Sequence, residues 1–465
     1  MSHGWRAEPF PVGPSTPEEI WASRSPDSIA VIDGDETMTT AALQAEVERV
    51  ARILVGLGLR PGGRVLWLLG NEPASLVSLL ATIRAGGVWL ALDRRATDAE
   101  REHVINDANP ALVFGSLPEG ESLHPLPPPP DRHAIAAIAY TSGTTGAPRG
   151  VVHTVQQLLY PAAAAIETEQ LSPTSLVGSP LSLATLNILL LGPLTALACG
   201  GTAVMLPHTD PAGLAADVHR FGVTRLLVVP TIVQDLLDAD IDVAALATVE
   251  RMIMGGSGFD HDRAAVAQTT FGVPLIASYG LSEAPTGVAR MRVGEAGARP
   301  LPGVDIRVET DGEISLAPTE TGPWARCWRG AVGYWGDDTA ELWRNGRIHT
   351  GDRGFIDTDG RLHVEGRIVD MINRGGATIA PAEVERVLLA VPGVEDAAVF
   401  GIDDDRLGQQ VAAAIVGSAD PGDVRAAARE VLSGYKVPAT WLVLDAIPRN
   451  ANGKIDRKAL RALAG

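Results

Sequence analysis

The segment Tyr140–Gly150, YTSGTTGAPRG, holds the densest set of groups suited to chemistry in the chain. Its glycines, Gly143 among them, let the backbone curl so that successive N–H groups face one concavity, an arrangement that binds anions. Thr141, Ser142, Thr144 and Thr145 add hydroxyl donors, and Arg149 adds a fixed charge suited to phosphate. The Walker pattern is absent, because no GKS or GKT opens a helix here. On composition alone, a phosphate cradle and a flexible Ser/Thr/Gly surface loop both stay open. Four more polar clusters follow: SYGLSE (Ser278–Glu283), HTGDRG (His349–Gly354), GRIVDMINRGGATIAPAEVE (Gly366–Glu385) and PRNANGKIDRKAL (Pro448–Leu460). Taken singly, each has a plain structural reading. Ser278–Glu283 reads as a capped strand-to-helix turn, Asp352 as a β-turn aspartate, and Lys454, after an Asn-Gly turn, as a solvated surface lysine.

The elements that must position these clusters are legible from periodicity. SIAVID reads as a strand, and Leu43, Val47, Val50, Ala51 and Leu54 recur at the spacing of one helix face. VLWLLG, a helix over 73–84, and VWLALD come next. After the proline-rich linker SLPEGESLHPLPPPPDR, the rhythm resumes with AIAAIAY, TAVMLP, RLLVVP, RMIMGG and PLIASYG. Short strands alternating with helices predict a parallel sheet covered on both faces. From about Asp305 the pattern becomes short antiparallel strands with Asp-Gly and Asn-Gly turns: DIRVE, DGEISL, GRIHTGD, GFID and DGRLHVEGR. A third pattern begins near Val369, with a helix over 382–391, strands AAVFGI and QQVAAAIV, and a helix near 423–433. The expected fold class is α/β: a large N-terminal domain (1–366) of parallel-sheet α/β subdomains and a β-rich subdomain, then a small mobile α+β C-terminal domain (367–465).

Composition bounds the partners. A chain with 46% hydrophobic and 20% charged residues supports large cores, and at 465 residues it has room for two to four domains or subdomains. A net charge of -18 argues against nucleic acid and membrane surfaces. An anionic substrate then needs a local positive site. Two isolated cysteines, Cys199 and Cys327, argue against a zinc site or a disulfide framework and fit a reducing cytoplasm. No uninterrupted apolar run reaches a membrane-spanning length, and the N-terminal stretch has no long apolar run of the signal-peptide kind.

The five clusters, in their order and spacing from about Pro17 to Leu460, resemble the superfamily of adenylating enzymes that comprises acyl-CoA synthetases, peptide-synthetase adenylation domains and luciferases. The resemblance is greatest to acyl- and aryl-CoA synthetases. It implies that Thr141–Thr145 (with Ser142, Gly143 and Thr144) and Arg149 hold ATP phosphates; Arg149 stands where the family typically has Lys. It implies that Tyr279 stacks on adenine beside Ser278 and Gly280, that Ser282 reaches the α-phosphate, and that Glu283 helps hold Mg²⁺, a hard cation suited to carboxylate and phosphate oxygens. MGGSGF, with Gly255, Gly256 and Ser257, resembles the adenine-side loop. Asp352 would accept both ribose hydroxyls, as an acceptor-only carboxylate can. Arg367 would contact ribose and phosphate, and Gly375 and Gly376 would lie near the pantetheine path. Lys454 would bridge the carboxylate and the α-phosphate. Thr141, Glu283 and Lys454 are the implied catalytic set. One departure falls at the hinge, where the family has Asp or Lys and this chain has Val369 followed by Asp370.

The implied reaction joins an acid to AMP with release of pyrophosphate, then passes the acyl group to a thiol, that of CoA or of a carrier protein's phosphopantetheine. The acid pocket is expected along Ser179–Leu190, with Leu183, Thr185, Asn187, Gly256 and Ser257 facing it; a core-helix role for the first three stays open. Relatives that take α-amino acids carry an Asp in that stretch, and none occurs here. Three other readings are open: a stand-alone enzyme that loads a carrier protein, activation of another oxyacid such as nitrite for transfer to an amine, and a non-catalytic nucleotide-binding protein.

Overall fold

The computed structural model describes residues 7–141, 148–239, 241–255, 261–336, 342–375, 377–449 and 455–464. The described chain divides into two compact units. The first runs to Ile306 and takes in Leu316–Ile348; the second consists of Arg307–Ser315 and the residues from His349 on.

Two sheets build the first unit. One has nine strands in the order Arg299–Pro300, Ala284–Arg292, Leu275–Leu281, Arg251–Met254, Arg225–Val228, Leu176–Ser179, Thr202–Met205, Ile29–Asp33 and Glu36–Thr39. Its centre is parallel and its ends antiparallel. The other has six strands, ordered Gly333–Tyr334, Arg149–Thr154, Ile135–Thr141, Val88–Asp93, Arg64–Leu69 and Leu112–Phe114. The central strands are buried and mostly apolar, as burial on both faces requires: Arg225–Val228 is buried at all four positions, and its one charge, Arg225, is paired with Glu169. The helix Thr40–Gly56 buries Leu43, Val47, Val50, Ala51 and Leu54, the face its periodicity predicts, and Thr39 caps it by accepting the Ala42 N–H. The proline-rich linker is held by arginines. Arg49 donates to the carbonyls of Pro118 and Gly120, Arg52 to His124 and Arg84 to Pro127.

A mainly antiparallel sheet, ordered Val304–Val308, Glu313–Pro318, Arg347–Ile356 and Trp343–Arg344, is crossed by the division into units, and Leu362–Arg367 also pairs with Arg347–Ile356. GRIHTGD and GFID, which read as separate strands, form one ten-residue strand with an irregularity between Arg353 and Gly354. Gly354 permits this, since a Cβ there would lie 2.3 Å from the His363 carbonyl oxygen. The C-terminal sheet, ordered Ala377–Ile379, Ile372–Arg374, Gly408–Gly417 and Val394–Asp404, adds Thr440–Val443 in parallel beside Gly408–Gly417. On one side, Ile372, Ile379, Val384, Leu388, Val399, Val411 and Val424 form its core. On the other, Phe400, Ala412, Ala414 and Leu460 do. The parallel α/β sheets and the antiparallel C-terminal sheets match the expected fold class.

Candidate active site

The Gly-rich segment connects two antiparallel strands, Ile135–Thr141 and Arg149–Thr154, with Tyr140 opposite Gly150 and Thr141 opposite Arg149. Ser142, Gly143, Thr144 and Thr145 lie outside the described residues. The stem below them is held at several points. Tyr140 donates its hydroxyl to the Asp107 carboxylate, and burial together with that carboxylate pushes the phenol pKa up, so it is a fixed neutral donor. His103 Nε2 lies 2.7 Å from the Pro148 carbonyl, and the Trp335 N–H donates to the Gly150 carbonyl at 2.7 Å. Gly150 has to be glycine, because a Cβ would meet Ile138 Cγ2 at 2.7 Å and Trp335 Cβ at 3.2 Å.

Ser278–Glu283 is placed by the hairpin of Leu275–Leu281 and Ala284–Arg292. The pair Leu281–Ala284 makes Ser282 and Glu283 the two residues of its turn, so the segment is a strand-to-strand turn and opens no helix. Gly280 allows the two arms to close: a Cβ there would sit 1.5 Å from the Thr286 carbonyl oxygen. Thr286 itself holds φ +60°, a costly value for a β-branched residue. Tyr279 and Ser278 are half-buried and Gly280 is exposed. Gly255 ends the neighbouring strand Arg251–Met254, facing the Ser278 carbonyl; Gly256 and Ser257 lie outside the described residues. Behind the turn, the imidazole of His153 hydrogen-bonds the backbone of Ser282. Burial pushes the imidazole pKa down to about 4 against that bond, so His153 is a neutral support rather than a proton carrier.

A third segment joins these two. Gly333–Tyr334 pairs antiparallel with Arg149–Thr154, Tyr334 opposite Val151. The Ala331 N–H donates to the Glu283 carbonyl at 2.7 Å, and Gln157 Nε2 donates to the Gly330 carbonyl. The Tyr334 hydroxyl donates to Glu283 Oε1 at 2.8 Å. The Arg149 guanidinium lies over the Tyr334 ring, 3.6 Å from its centroid. Sequence reasoning missed Tyr334. The one signal available was the pair Tyr334-Trp335 after a glycine, in a chain that is only 5% aromatic.

In the second unit, Asp352 and Arg367 face each other across the hairpin of Arg347–Ile356 and Leu362–Arg367. Arg367 Nε lies 2.9 Å from Asp352 Oδ1, and Asp352 is buried. The approach to Asp352 is shaped by Glu313, which takes the Gly351 N–H at 3.0 Å and His349 Nδ1 at 2.7 Å. Gly375 adopts φ +57° and donates its N–H to the Leu407 carbonyl at 2.8 Å. Gly376 and Lys454 lie outside the described residues. On either side of Lys454, Arg449 bridges Ile455 and the Asp456 N–H reaches the Pro448 carbonyl at 2.8 Å. Val369 is 60% exposed in a single 3₁₀ turn, Ile368–Asp370.

The stretch expected to line an acid pocket contains a short helix, Leu186–Leu189, then a π-turn, Leu190–Leu194. Pro193 lacks the N–H that an α-helical turn needs, which accounts for the wider turn. Leu183 is buried, Asn187 half-buried, and Thr185 exposed at the helix N-cap.

The donor set near Glu283 suits a cation carried mostly by phosphate. Among the described residues no group of three or more His, Cys, Asp and Glu side chains could hold a metal. One carboxylate supplied by the protein is what Mg²⁺ on a nucleotide uses.

A family model described as AMP-binding enzyme matches residues 19–127 and 115–323, and one described as AMP-binding enzyme C-terminal domain matches 383–454. The chain is 33% identical to a feruloyl-CoA synthase of an Amycolatopsis species, over 96% of this chain and 97% of that protein. It is 30% identical to the fatty acid–[acyl-carrier-protein] ligase ScoC of Streptomyces coeruleorubidus, over 95% and 94%. Among solved structures, ATP-bound MatB from Rhodopseudomonas palustris is similar with a TM-score of 0.87 and 26% identity, covering 96% of this chain and 98% of that one.

Proposed function

Because the chain belongs to the AMP-binding enzyme family, we propose that its site joins a carboxylic acid to AMP at the expense of ATP and then transfers the acyl group to CoA. The observation that carries this reading is the meeting of Arg149, at the foot of the Gly-rich hairpin, and Glu283, on its own turn, at one tyrosine. The acid carboxylate attacks the α-phosphorus and pyrophosphate leaves. The protein's work is to position the reactants and neutralise charge. Arg149 and the hydroxyls of Thr141–Thr145 hold the leaving phosphates. Ser282 reaches the α-phosphate, Tyr279 packs on adenine, and Asp352 takes the ribose hydroxyls with Arg367 beside it. Glu283 would hold Mg²⁺ together with the nucleotide, and the ion would supply charge neutralisation for the leaving pyrophosphate. Lys454 bridges the reacting carboxylate and phosphate.

The domain boundary we propose is Gly366–Asp370, an exposed turn between two strands that lies within the second compact unit. Rotation there withdraws Lys454 and brings Gly375 and Gly376 to the thiol path. A cytoplasmic setting goes with this reading, since Cys199 and Cys327 are both free thiols. The acid is small or medium-sized and largely apolar, and it lacks an α-ammonium group, because Ser179–Leu190 offers no carboxylate to hold one. The likeness to a feruloyl-CoA synthase puts hydroxycinnamate-type acids first on a panel, and the likeness to ScoC favours carrier-protein pantetheine as the second acceptor to try.

The test is acid-dependent ATP–pyrophosphate exchange without a thiol, across aliphatic, aryl, amino and inorganic oxyacids. Exchange with one class of carboxylic acid is expected, and thioester formation when CoA is added. Exchange with nitrite alone, or ATP binding with no exchange for any acid, would overturn the reading. Lys454→Ala should cripple exchange and spare thioester formation from supplied acyl-AMP.

A further inference from the structure

We propose that Tyr334 is the positioning residue that sets the phosphate-holding cation and the metal-holding carboxylate at a fixed spacing, so that the enzyme binds ATP and its divalent cation as a unit. The inference rests on the ATP site proposed above. It concerns a residue that neither the Gly-rich loop nor the Ser278–Glu283 turn contains.

Tyr334 uses its two chemically different parts on two partners. The negative face of the ring takes the Arg149 guanidinium at 3.6 Å from the centroid. The hydroxyl donates to Glu283 Oε1 at 2.8 Å. An ionised carboxylate offers about four lone-pair sites, so one phenolic proton orients Glu283 and leaves it able to accept a cation. A cation–π contact likewise uses the face of the guanidinium and not its in-plane N–H groups, the ones that recognise phosphate oxygens.

The backbone around Tyr334 is tied to both neighbouring segments. Val332 N–H reaches the Val152 carbonyl at 2.8 Å, Trp335 N–H reaches the Gly150 carbonyl at 2.7 Å, and Ala331 N–H reaches the Glu283 carbonyl at 2.7 Å. The strap therefore bonds on one side to the strand that carries Arg149 and on the other to the turn that carries Glu283. Gly330 lets it pass, since a Cβ there would lie 3.0 Å from the Glu283 carbonyl oxygen and 1.9 Å from Ile348 Cδ1. A tyrosine needed only to fill space requires neither the hydroxyl bond nor the ring contact.

The experiment is equilibrium binding on the full chain: calorimetric titration with ATP in EDTA, and Mn²⁺ titration followed by electron paramagnetic resonance with ATP saturating. Tyr334→Phe keeps the ring and removes the hydroxyl. It should raise the Mn²⁺ dissociation constant about tenfold and leave metal-free ATP binding within about twofold. Tyr334→Leu should weaken metal-free ATP binding as well, by about fivefold. Arg149→Lys should weaken metal-free ATP binding and leave the Mn²⁺ constant within about twofold, which tests the cation side without altering the tyrosine. A Tyr334→Phe variant that binds Mn²⁺ like the parent, or that loses metal and metal-free nucleotide equally, would overturn the inference. A parent chain that binds no ATP would overturn the adenylating reading first, and the inference with it.

Discussion

Of the places in the first unit where arginine and glutamate come together, two do so in opposite ways. At Glu169, the last residue of the helix Val155–Glu169, the charges touch. Arg225 forms a two-point pair with the carboxylate at 2.6 and 3.0 Å, and Arg290 donates to the same group. Arg225 and Glu169 side chains are 1% and 3% exposed. Burial opposes ionisation of Glu169, yet the two guanidiniums hold its pKa at about 2. At Glu283 a tyrosine touches both charges, taking the cation on its ring and the carboxylate on its hydroxyl. Direct, dry pairing neutralises both groups and leaves little for a ligand. At Glu283 the phenol stands between the two charges, touching each without bringing them into contact with one another through its own atoms. The first arrangement is a buried ion pair; the second is the one proposed above to hold ATP and its metal.

The strongest way to break that contrast is Glu169→Gln. It should cost about 3–5 kcal/mol of stability by leaving two buried guanidiniums without their carboxylate, read by urea unfolding, while the folded fraction keeps its ATP affinity within about twofold. A stable variant with lost ATP binding would reverse the assignment of the two sites. Glu283→Gln should do the opposite. Pyrophosphate exchange should fall roughly 10²–10³-fold, with the unfolding midpoint nearly unchanged, since a partly exposed side chain contributes little to stability.

The supports behind the two sites respond to acid in different windows. His153 has its pKa lowered from 6.5 to about 4 by burial. Its neutral form is favoured in the fold, so its contribution is complete above pH 6.5 and is lost as pH falls toward 4, about 3 kcal/mol in all. Glu169, depressed from 4.5 to about 2, contributes fully above pH 4.5 and loses that contribution only as pH falls through 2. Stability measured against pH should therefore decline first through His153, and His153→Asn should flatten the curve between pH 6.5 and 4. The smallest effect is expected at Asp352, where Asn keeps the shape and weakens two charge-assisted acceptors. The ATP KM should rise roughly tenfold with kcat little changed.

The same contrast explains what was legible in the sequence. Asp352 and Arg367 each lie in a segment that reads as a short antiparallel strand, but that they face each other follows only from GRIHTGD and GFID forming one strand. The α/β alternation and the face of the helix Thr40–Gly56 were legible because periodicity is local. Tyr334 was not legible: its partners lie at Arg149 and Glu283, and no local pattern encodes which strand edge a two-residue strand will join. The merging of GRIHTGD with GFID was hidden because two turn-forming glycines, Gly351 and Gly354, lie inside a continuous strand. The plain alternative for Ser278–Glu283, a strand-to-helix turn, is ruled out by the hairpin; Ser and Glu also suit helix starts, which is why the sequence left it open.

Gly333–Tyr334 is the outermost strand of its sheet, and the strand it covers, Arg149–Thr154, was made about 180 residues earlier in synthesis. At translation rates of about 5–20 residues per second, that delay is roughly 10–40 s. Throughout it, Arg149–Thr154 is an open edge with Val151 and Val152 on offer, the kind of edge that recruits the wrong neighbour. The strand that carries Tyr334 therefore also closes an edge on which the nascent chain would otherwise invite a wrong partner.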